Sequence, residues 1–223
     1  MIDLLSSFAR DVQAIWKKDP AARNWIEVLT CYPGLHAVSA HRVAHHLHAA
    51  GVPVVPRLMS HATRALTGIE IHPGATLGAG VFIDHGQGVV IGETAVIGDD
   101  VLIYQGVTLG GTSLEPVKRH PTIGSNVVIG AGASILGNIE VGSSAFVGAG
   151  SVVTKPVPAG STVVGIPARV VQTGPAEPAA EGMRQGPLPD PVMGMLGALH
   201  DRLTHLEAEL DRLRQENREL RQR

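Results

Sequence analysis

The chain is dominated by a six-residue repeat of aliphatic positions. From residue 71 onward an Ile, Leu or Val returns every sixth position in three runs, and eight of these thirteen positions are followed by glycine. Helices repeat every three to four residues and strands every two, so neither alone explains this period. Short strands joined by tight turns explain the six-residue period. One aliphatic side chain points inward per hexapeptide, and glycine supplies the unusual dihedral angles of the turn. The pattern therefore predicts a mainly β fold, a parallel β-helix. The runs are Ile71, Leu77 and Ile83; Ile91, Ile97, Ile103 and Leu109; and Ile123, Ile129, Ile135, Val141, Val147 and Val153.

The repeat is interrupted twice, and both interruptions contain residues capable of chemistry. Between the first and second runs the step is eight residues instead of six, and this stretch contains Asp84 and His85. Between the second and third runs the step is fourteen residues, and this longer loop contains Arg119 and His120. Solenoid folds accommodate insertions as loops on one face, often the binding face. We therefore expect a functional site at these two loops.

Histidine and arginine suit particular chemical tasks at such loops. A histidine with a pKa near its usual value of about 6.5 can act as a neutral base at cytoplasmic pH. Such a base needs a partner on its second ring nitrogen to fix its orientation and tautomer. The planar guanidinium of Arg119 is suited to binding a carboxylate. We expect His85 to be a candidate base and Arg119 a candidate substrate ligand.

Residues 1–68 lack the repeat and form an N-terminal helical region. The stretches "LLSSFARDVQAIW" and "GLHAVSAHRVAHHLHAAG" have amphipathic helical patterns. The second ends at Gly51, which is a helix stop signal, with Pro53 just beyond. This second stretch is rich in histidine, but no cysteine or acidic residue accompanies the histidines. We therefore interpret them as part of a mixed helix surface and expect no metal site. The repeats that follow define a β-helical domain at residues 69–172.

The C-terminal part of the chain has a different composition. Residues 173–191 are rich in Pro, Gly and Ala and are interpreted as a linker, and residues 192–223 carry a leucine heptad. Opposite charges occupy the g and following e positions, an arrangement typical of a parallel coiled coil, although a helix packed on its own domain is the alternative. The core positions are Leu196, Leu199, Leu203, Leu206, Leu210, Leu213, Asn217 and Leu220, and the charge pairs are Arg202 with Glu207, Glu209 with Arg214, and Glu216 with Arg221.

Composition narrows the class of protein. The net charge is −2, which gives no basic field for nucleic acid, and the single cysteine, Cys31, excludes a disulfide framework. No stretch approaches the roughly 20 apolar residues of a membrane span, and the first residues lack the pattern of a secretory signal. We expect a soluble cytoplasmic protein that binds neither nucleic acid nor membrane.

Several motifs resemble the serine O-acetyltransferases of cysteine biosynthesis. The matching stretches include "IEIHPGATLG", "DHGQG" followed by "GET", "VTLGGT", "KRHPTIG" and "GIPAR", and they extend from about residue 19 to residue 170. The resemblance implies a left-handed parallel β-helix with three hexapeptides per coil, assembled as a homotrimer. It also implies transfer of acetyl from acetyl-CoA to L-serine without a metal.

The resemblance assigns roles to particular positions. His85 corresponds to the general base, and Glu70 to the carboxylate that orients it, at a position where some members have Asp. Glu70 lies fifteen residues before His85, close to the eighteen residues of one such coil. The implied serine ligands are Asp19 and Asp84 for the ammonium group and Arg119 for the carboxylate, with His120 beside it and Glu93 in support. The implied acetyl-CoA contacts lie along a groove between prisms and are Gly111, Thr112, Ala131 and Ala149.

Three other functions are compatible with parts of the sequence. The first is acetyl transfer to another hydroxyl acceptor, such as a sugar, homoserine or an antibiotic, although Arg119 and the two aspartates favour an amino acid. The second is a zinc carbonic anhydrase, which needs three histidines per metal, whereas only His120 lies at the long loop. The third is a non-enzymatic trimeric scaffold that displays its coiled coil.

The resemblance also bears on partners. Many relatives end in an isoleucine that docks into the sulfhydrylase of the same pathway, whereas this sequence ends in Arg-Gln-Arg, so we do not expect that docking mode. The helical region is shorter than that of hexameric relatives, and we therefore expect a trimer in preference to a hexamer.

Overall fold

The computed structural model describes residues 4–172, 197, 199–210 and 212–213. Its N-terminal part contains four helices, α1 (Leu4–Lys18), α2 (Trp25–Cys31), α3 (Pro33–Ala49) and α4 (Val55–Thr67). Helix α2 begins where the side chain of Asn24 accepts a hydrogen bond from the Glu27 amide, and α4 ends at Gly68 in a left-handed conformation. Among the described residues no helix has both the length and the apolar composition needed to cross a bilayer.

Short strands follow the helices and form three sheets. Sheet A has the order β1-β4-β7-β10-β13, sheet B the order β11-β8-β5-β2, and sheet C the order β15-β14-β12-β9-β6-β3. All pairs are parallel except β14 with β15, which close sheet C as an antiparallel hairpin. The strands are β1 (Glu70–Ile71), β2 (Thr76–Leu77), β3 (Phe82–Ile83), β4 (Val90–Ile91), β5 (Val96–Ile97), β6 (Leu102–Ile103), β7 (Thr108–Gly110), β8 (Thr122–Ile123), β9 (Val128–Ile129), β10 (Ser134–Leu136), β11 (Glu140–Val141), β12 (Phe146–Val147), β13 (Val152–Val153), β14 (Thr162–Gly165) and β15 (Ala168–Gln172).

The aliphatic repeat forms the core of this prism. In sheet A, Ile71 pairs in register with Ile91, which pairs with Leu109, and Leu109 pairs with Ile135. The equivalent positions of sheets B and C are stacked in the same way, and these side chains are almost completely buried. The predicted left-handed parallel β-helix with an N-terminal helical region is confirmed.

The structural reason for glycine after the aliphatic residue of the repeat differs from the predicted one. A Cβ on Gly98 would lie 2.8 Å from the backbone nitrogen of Ser125 on the next coil, so glycine is needed there for close approach of two backbones. Positive φ angles instead occur three residues after the aliphatic position, at Asp100 (57°), Asn126 (58°) and Ser144 (58°). The prediction that the glycine following the aliphatic residue supplies the turn dihedral was therefore wrong.

A buried ion pair fastens the helices to the first coil. The Arg42 guanidinium of α3 donates two hydrogen bonds of 2.9 Å to the Asp11 carboxylate of α1. Arg42 also donates to the Gly78 carbonyl (2.7 Å), and the Gly80 amide donates to Asp11 (2.9 Å). Burial raises the pKa of Asp11, against the opposing effect of Arg42. The helices and the β-helix thus share one polar junction.

The described part of the C-terminal segment is helical. The seam leucines in it, at positions 199, 203, 206, 210 and 213, have exposed fractions between 48% and 60% in the single chain. The predicted linker at residues 173–191 and the remaining coiled-coil positions lie outside the described residues.

Candidate active site

The first insertion forms a compact turn at the corner between sheets C and A, here called the first corner. The Gly86 amide donates to the Asp84 carbonyl (2.7 Å), and the Gly88 amide donates to the Gly68 carbonyl at the end of α4 (2.9 Å). His85 has a φ of 60°, a region that side-chain-bearing residues rarely occupy. Its side chain is 75% exposed, with Nε2 4.0 Å from Asp84 Oδ1. The turn therefore presents an accessible imidazole beside a mostly buried carboxylate.

Two carboxylates and a tyrosine lie together beside this histidine. Burial raises the pKa of Asp84, and the nearby Asp19 carboxylate raises it further while His85 lowers it. Asp19 accepts a hydrogen bond of 2.5 Å from the Tyr32 hydroxyl and one of 2.7 Å from the Ala21 amide. Burial and the bond to Asp19 raise the pKa of Tyr32. This cluster can bind a cation, because two carboxylates lie close enough for their charges to interact.

Sequence reasoning did not identify the two tyrosines of this cluster. The carboxylates of Asp84 and Asp19 also raise the pKa of Tyr104, after the larger effect of burial, which places this ring in the same neighbourhood. A signal was present: the chain has only two tyrosines, and Tyr104 follows Ile103 at a repeat position that glycine usually occupies. Tyr32 carries no repeat signal, since it precedes α3.

Glu70 lies at the first corner but has a different partner from the predicted one. It is the first residue of β1 and lies two residues after Gly68, whose carbonyl accepts the hydrogen bond from Gly88 of the turn. Its carboxylate accepts from Arg64 of α4 at 3.0 Å and is 29% exposed. Within residues 4–172 no hydrogen bond joins Glu70 to His85. Its orienting role stays a prediction.

The second group of predicted residues lies at the corner between sheets A and B, the second corner. Arg119 donates to the Glu93 carboxylate at 2.6 Å and to the Glu115 carbonyl at 3.0 Å. The Glu93 carboxylate therefore fixes one side of the Arg119 guanidinium. Because a guanidinium has five N–H donors, others stay available for a substrate carboxylate.

His120 is held tightly beside this arginine. Its Nδ1 lies 2.9 Å from the Thr94 hydroxyl and 3.2 Å from the Thr94 amide nitrogen. A Cβ on Gly92 would lie 2.0 Å from the His120 ring, and one on Gly111 would lie 3.1 Å from Nε2, so both glycines make room for it. Burial lowers the pKa of His120, and Arg119 lowers it further. The ring is thus a buried, neutral hydrogen-bonding group. Sequence reasoning did not identify Thr94 or Gly92.

The structure does not bring the two groups together within one chain. The Asp84–His85 turn precedes β4 and the Glu93–Thr94 pair follows it. The two groups therefore lie at opposite ends of the sheet A strands, at the two corners that flank this sheet. No hydrogen bond or ion pair between residues of the described part of the chain connects them. The two loops were predicted to form one site, and their separation within a single chain was not predicted from the sequence.

The predicted acetyl-CoA contacts divide in the same way. Ala131 and Ala149 each follow a sheet C strand by two positions, as His85 does, and these strands are stacked through β6. They therefore continue the first corner along the prism. Gly111 and Thr112 lie at the second corner, where a Cβ on Gly111 would approach Arg119 at 3.2 Å. Both corners thus combine substrate candidates with small residues.

No metal-binding cluster is found among the described residues. The rings of His41 and His45 lie 5.7 Å apart on α3, but no group of three or more His, Cys, Asp or Glu side chains in this part of the chain could hold an ion. His41 is buried, and burial lowers its pKa to about 3. It is therefore a neutral residue of the helix packing.

A prism of hexapeptide coils with a histidine turn at one corner defines a class, the hexapeptide-repeat transferases. The family model "Bacterial transferase hexapeptide (six repeats)" matches residues 120–155. The chain is 56% identical over 216 residues to a serine acetyltransferase of Synechocystis sp., which covers 97% of this chain and 86% of the relative. It therefore belongs to the serine acetyltransferase family and is an acyltransferase.

Solved structures agree with this assignment. A serine acetyltransferase in complex with cysteine has a TM-score of 0.80 and 42% identity, with 83% of this chain and 72% of that chain covered. The serine acetyltransferase of Neisseria gonorrhoeae in complex with serine has a TM-score of 0.74 and 45% identity, with 76% of this chain and 69% of that chain covered.

Proposed function

We propose that the protein transfers the acetyl group of acetyl-CoA to the hydroxyl of L-serine and releases O-acetylserine and CoA. The observation that carries this proposal is a pair of oppositely charged half-sites, one of which lies beside the exposed His85. One half-site holds the carboxylates of Asp19 and Asp84, and the other holds Arg119 and the neutral His120. An amino acid zwitterion is complementary to both.

The acidic half-site is suited to the serine ammonium group. Asp84 and Asp19 raise each other's affinity for positive charge, because two nearby carboxylates repel until a cation lies between them. The Tyr32 hydroxyl, 2.5 Å from Asp19, holds one of these carboxylates in place. The second half-site would bind the serine carboxylate through free N–H groups of Arg119 and through His120 Nε2.

His85 is the residue best placed to act as the general base. Its imidazole is accessible and lies next to Asp84, the proposed ligand of the ammonium group. His85 takes the proton of the serine hydroxyl while the oxygen forms a bond to the acetyl carbonyl carbon. When the carbon–sulfur bond breaks, His85 returns this proton to the CoA sulfur. A positioned base contributes about 10²–10⁴-fold to such a rate.

His120 is not suited to be the base. The Thr94 amide can only donate, so His120 Nδ1 accepts from it at 3.2 Å and carries no proton. The proton of the neutral ring is then on Nε2. The nitrogen available to substrate is a donor, which supports carboxylate binding and leaves proton abstraction to His85.

We further propose a homotrimer in which each active site is completed by two subunits. The two half-sites occupy opposite edges of sheet A, and the candidate acetyl-CoA contacts are divided in the same way. If the first corner of one prism faces the second corner of the next, both half-sites meet at the subunit boundary. A ring of three such heterologous contacts closes on itself.

The groove between prisms suits the pantetheine arm of acetyl-CoA. Along the first corner the chain presents small residues, including Ala131 and Ala149, and a Cβ on Gly132 or Gly150 would meet no atom within 4 Å. An extended chain can therefore approach the backbone closely here. Acetyl-CoA would bring its thioester to His85 at one end of this groove.

The C-terminal helix would associate with its copies as a parallel coiled coil. The half-exposed seam leucines and the opposite charges at g and e positions support this assembly. A shortened chain that ends at residue 191 would test whether the tail contributes to the oligomer, measured by sedimentation.

Competing functions make different demands on the site. A sugar acceptor has neither the ammonium group nor the carboxylate that the two half-sites match, and a zinc anhydrase needs three converging histidines. Homoserine carries both charges and differs by one methylene. Thiol release from acetyl-CoA should therefore be measured with L-serine, homoserine and a neutral sugar. L-Serine should give the highest kcat/KM, and a preference for either other acceptor would contradict the proposal.

Mixed oligomers test the shared site. H85A and R119A would each be inactive alone, but a mixed trimer would contain boundaries with both residues intact. Random mixing in equal amounts should restore about a quarter of the wild-type sites. No recovery in verified mixed trimers would contradict a site between subunits, and two H85A preparations carrying different tags serve as the control.

A further inference from the structure

Thr94 lies at the centre of the hydrogen bonds that shape the second corner. Its hydroxyl oxygen is 3.0 Å from the Arg119 amide nitrogen and 3.1 Å from the His120 amide nitrogen. Its carbonyl accepts a hydrogen bond of 2.7 Å from the Lys118 ammonium group, which also donates to the His120 carbonyl. One threonine thus contacts three consecutive residues of the long insertion.

Counting lone pairs fixes the direction of each bond. Two backbone amides donate to the Thr94 hydroxyl oxygen and fill its two acceptor positions. Its own hydrogen must then point elsewhere, and His120 Nδ1 is 2.9 Å away. The Thr94 amide also donates to Nδ1. Both donors face the same ring nitrogen, so a proton on Nδ1 would displace two hydrogen bonds.

These hydrogen bonds determine the protonation of His120 Nε2, the ring nitrogen proposed to contact the substrate carboxylate. With Nδ1 held as an acceptor, the neutral ring has its hydrogen on Nε2, and Nε2 has no hydrogen-bond partner among the described residues. Gly92 and Gly111 leave room for the ring in the orientation that it adopts. The backbone at Arg119 is fixed by the same hydroxyl, so both candidate carboxylate ligands depend on it.

We propose that Thr94 is a positioning residue of the substrate-carboxylate subsite, which sets the Nε2–H tautomer of His120 and the backbone of Arg119. Thr94 itself does not touch the substrate. This inference rests on the proposed function for its kinetic consequence, whereas the tautomer of His120 can be observed without turnover.

The test compares Thr94→Val with Thr94→Ser. Valine keeps the shape but leaves two amides without an acceptor, and serine keeps the hydroxyl. We expect T94V to raise the serine KM by about tenfold or more, with a smaller change in the acetyl-CoA KM. T94S should stay near wild type. Thr76→Val, at an exposed threonine of β2, is the matched control.

Nitrogen-15 NMR of histidine-labelled protein provides the second measurement, with the His120 signals assigned by their loss in H120N. The wild type should show an unprotonated Nδ1 and a protonated Nε2. T94V keeps the backbone amide that donates to Nδ1 but loses the hydroxyl donor, so it should show a larger population with the proton on Nδ1 than the wild type. A proton on Nδ1 in the wild type, an unchanged serine KM in T94V, or equal impairment of T94S and T94V would each overturn the inference. An inactive wild type that has the expected tautomer would contradict the proposed function and leave the Thr94 network supported.

Discussion

Gly92→Ala should disable the carboxylate subsite with a limited effect on the fold. The new Cβ would lie 2.0 Å from His120 Cδ2 and 2.1 Å from Nε2. Carbon atoms in contact prefer about 3.5 Å or more, so the ring must move by roughly 1.5 Å. Its Nδ1 would then lose the 2.9 Å contact to the Thr94 hydroxyl. A misplacement of about 1 Å at an active site can cost about 10²-fold in rate.

We therefore expect kcat/KM for serine to fall about 10²-fold in G92A. The overlap falls on a side chain, and the cost in folding stability should be about 1–3 kcal/mol, as for other overpacked sites. Steady-state thiol release and thermal unfolding measure the two effects separately.

Gly98→Ala is the matched control for this substitution. Gly98 occupies the same repeat position on the next strand, but its Cβ would meet the backbone of Ser125 at 2.8 Å, away from the candidate ligands. It should lower Tm without a selective change in the serine KM. If G92A kept the wild-type kcat/KM for serine, the placement of His120 in the subsite would be refuted.

Three further predictions concern the helical region and the acidic half-site. Arg42→Met leaves the Asp11 carboxylate buried without its ion-pair partner. Because breaking such a pair costs about 3–5 kcal/mol, the urea midpoint of unfolding should fall clearly. An unchanged midpoint would count against a stabilising role of this ion pair. Tyr32→Phe removes the donor to Asp19, and the loss of about 1 kcal/mol should raise the serine KM about fivefold, so an unaltered KM would show that Asp19 needs no such support. Burial raises the pKa of Asp84. As the pH falls, Asp84 should therefore lose its charge at a higher pH than an ordinary aspartate, and the affinity for serine should fall with it. Calorimetry should show this pH dependence of serine binding in the wild type and not in Asp84→Asn.

The architecture was accessible from the sequence because one physical constraint repeats. Each coil needs an inward aliphatic side chain at a fixed interval. The repeated aliphatic positions that begin with Ile71 therefore predict both the strands and the core. The cause of the glycines was not accessible in the same way. Gly98 is needed because the backbone of Ser125 lies close to it. Ser125 is on a different coil, so a pattern of neighbouring residues in the sequence does not predict this contact.

The site was accessible only in part, for a related reason. The interruptions of the repeat pointed to His85 and Arg119, since insertions stand out against a regular background. Their separation across sheet A follows from which corner each insertion occupies, a property of the coil and not of the motif. Contacts such as Tyr32 with Asp19, or Arg64 with Glu70, join elements without a shared period, and only the folded chain shows them.

The central claim is that His85 takes the proton of the serine hydroxyl. The most direct measurement is CoA thiol release from acetyl-CoA, with and without L-serine, for wild type and His85→Ala. The exposed side chain of His85 makes few contacts, so the variant should fold and assemble normally. We predict serine-dependent release in the wild type and a fall of about 10²–10⁴-fold in the variant, with serine binding retained. Wild-type turnover in a folded His85→Ala protein would contradict the account.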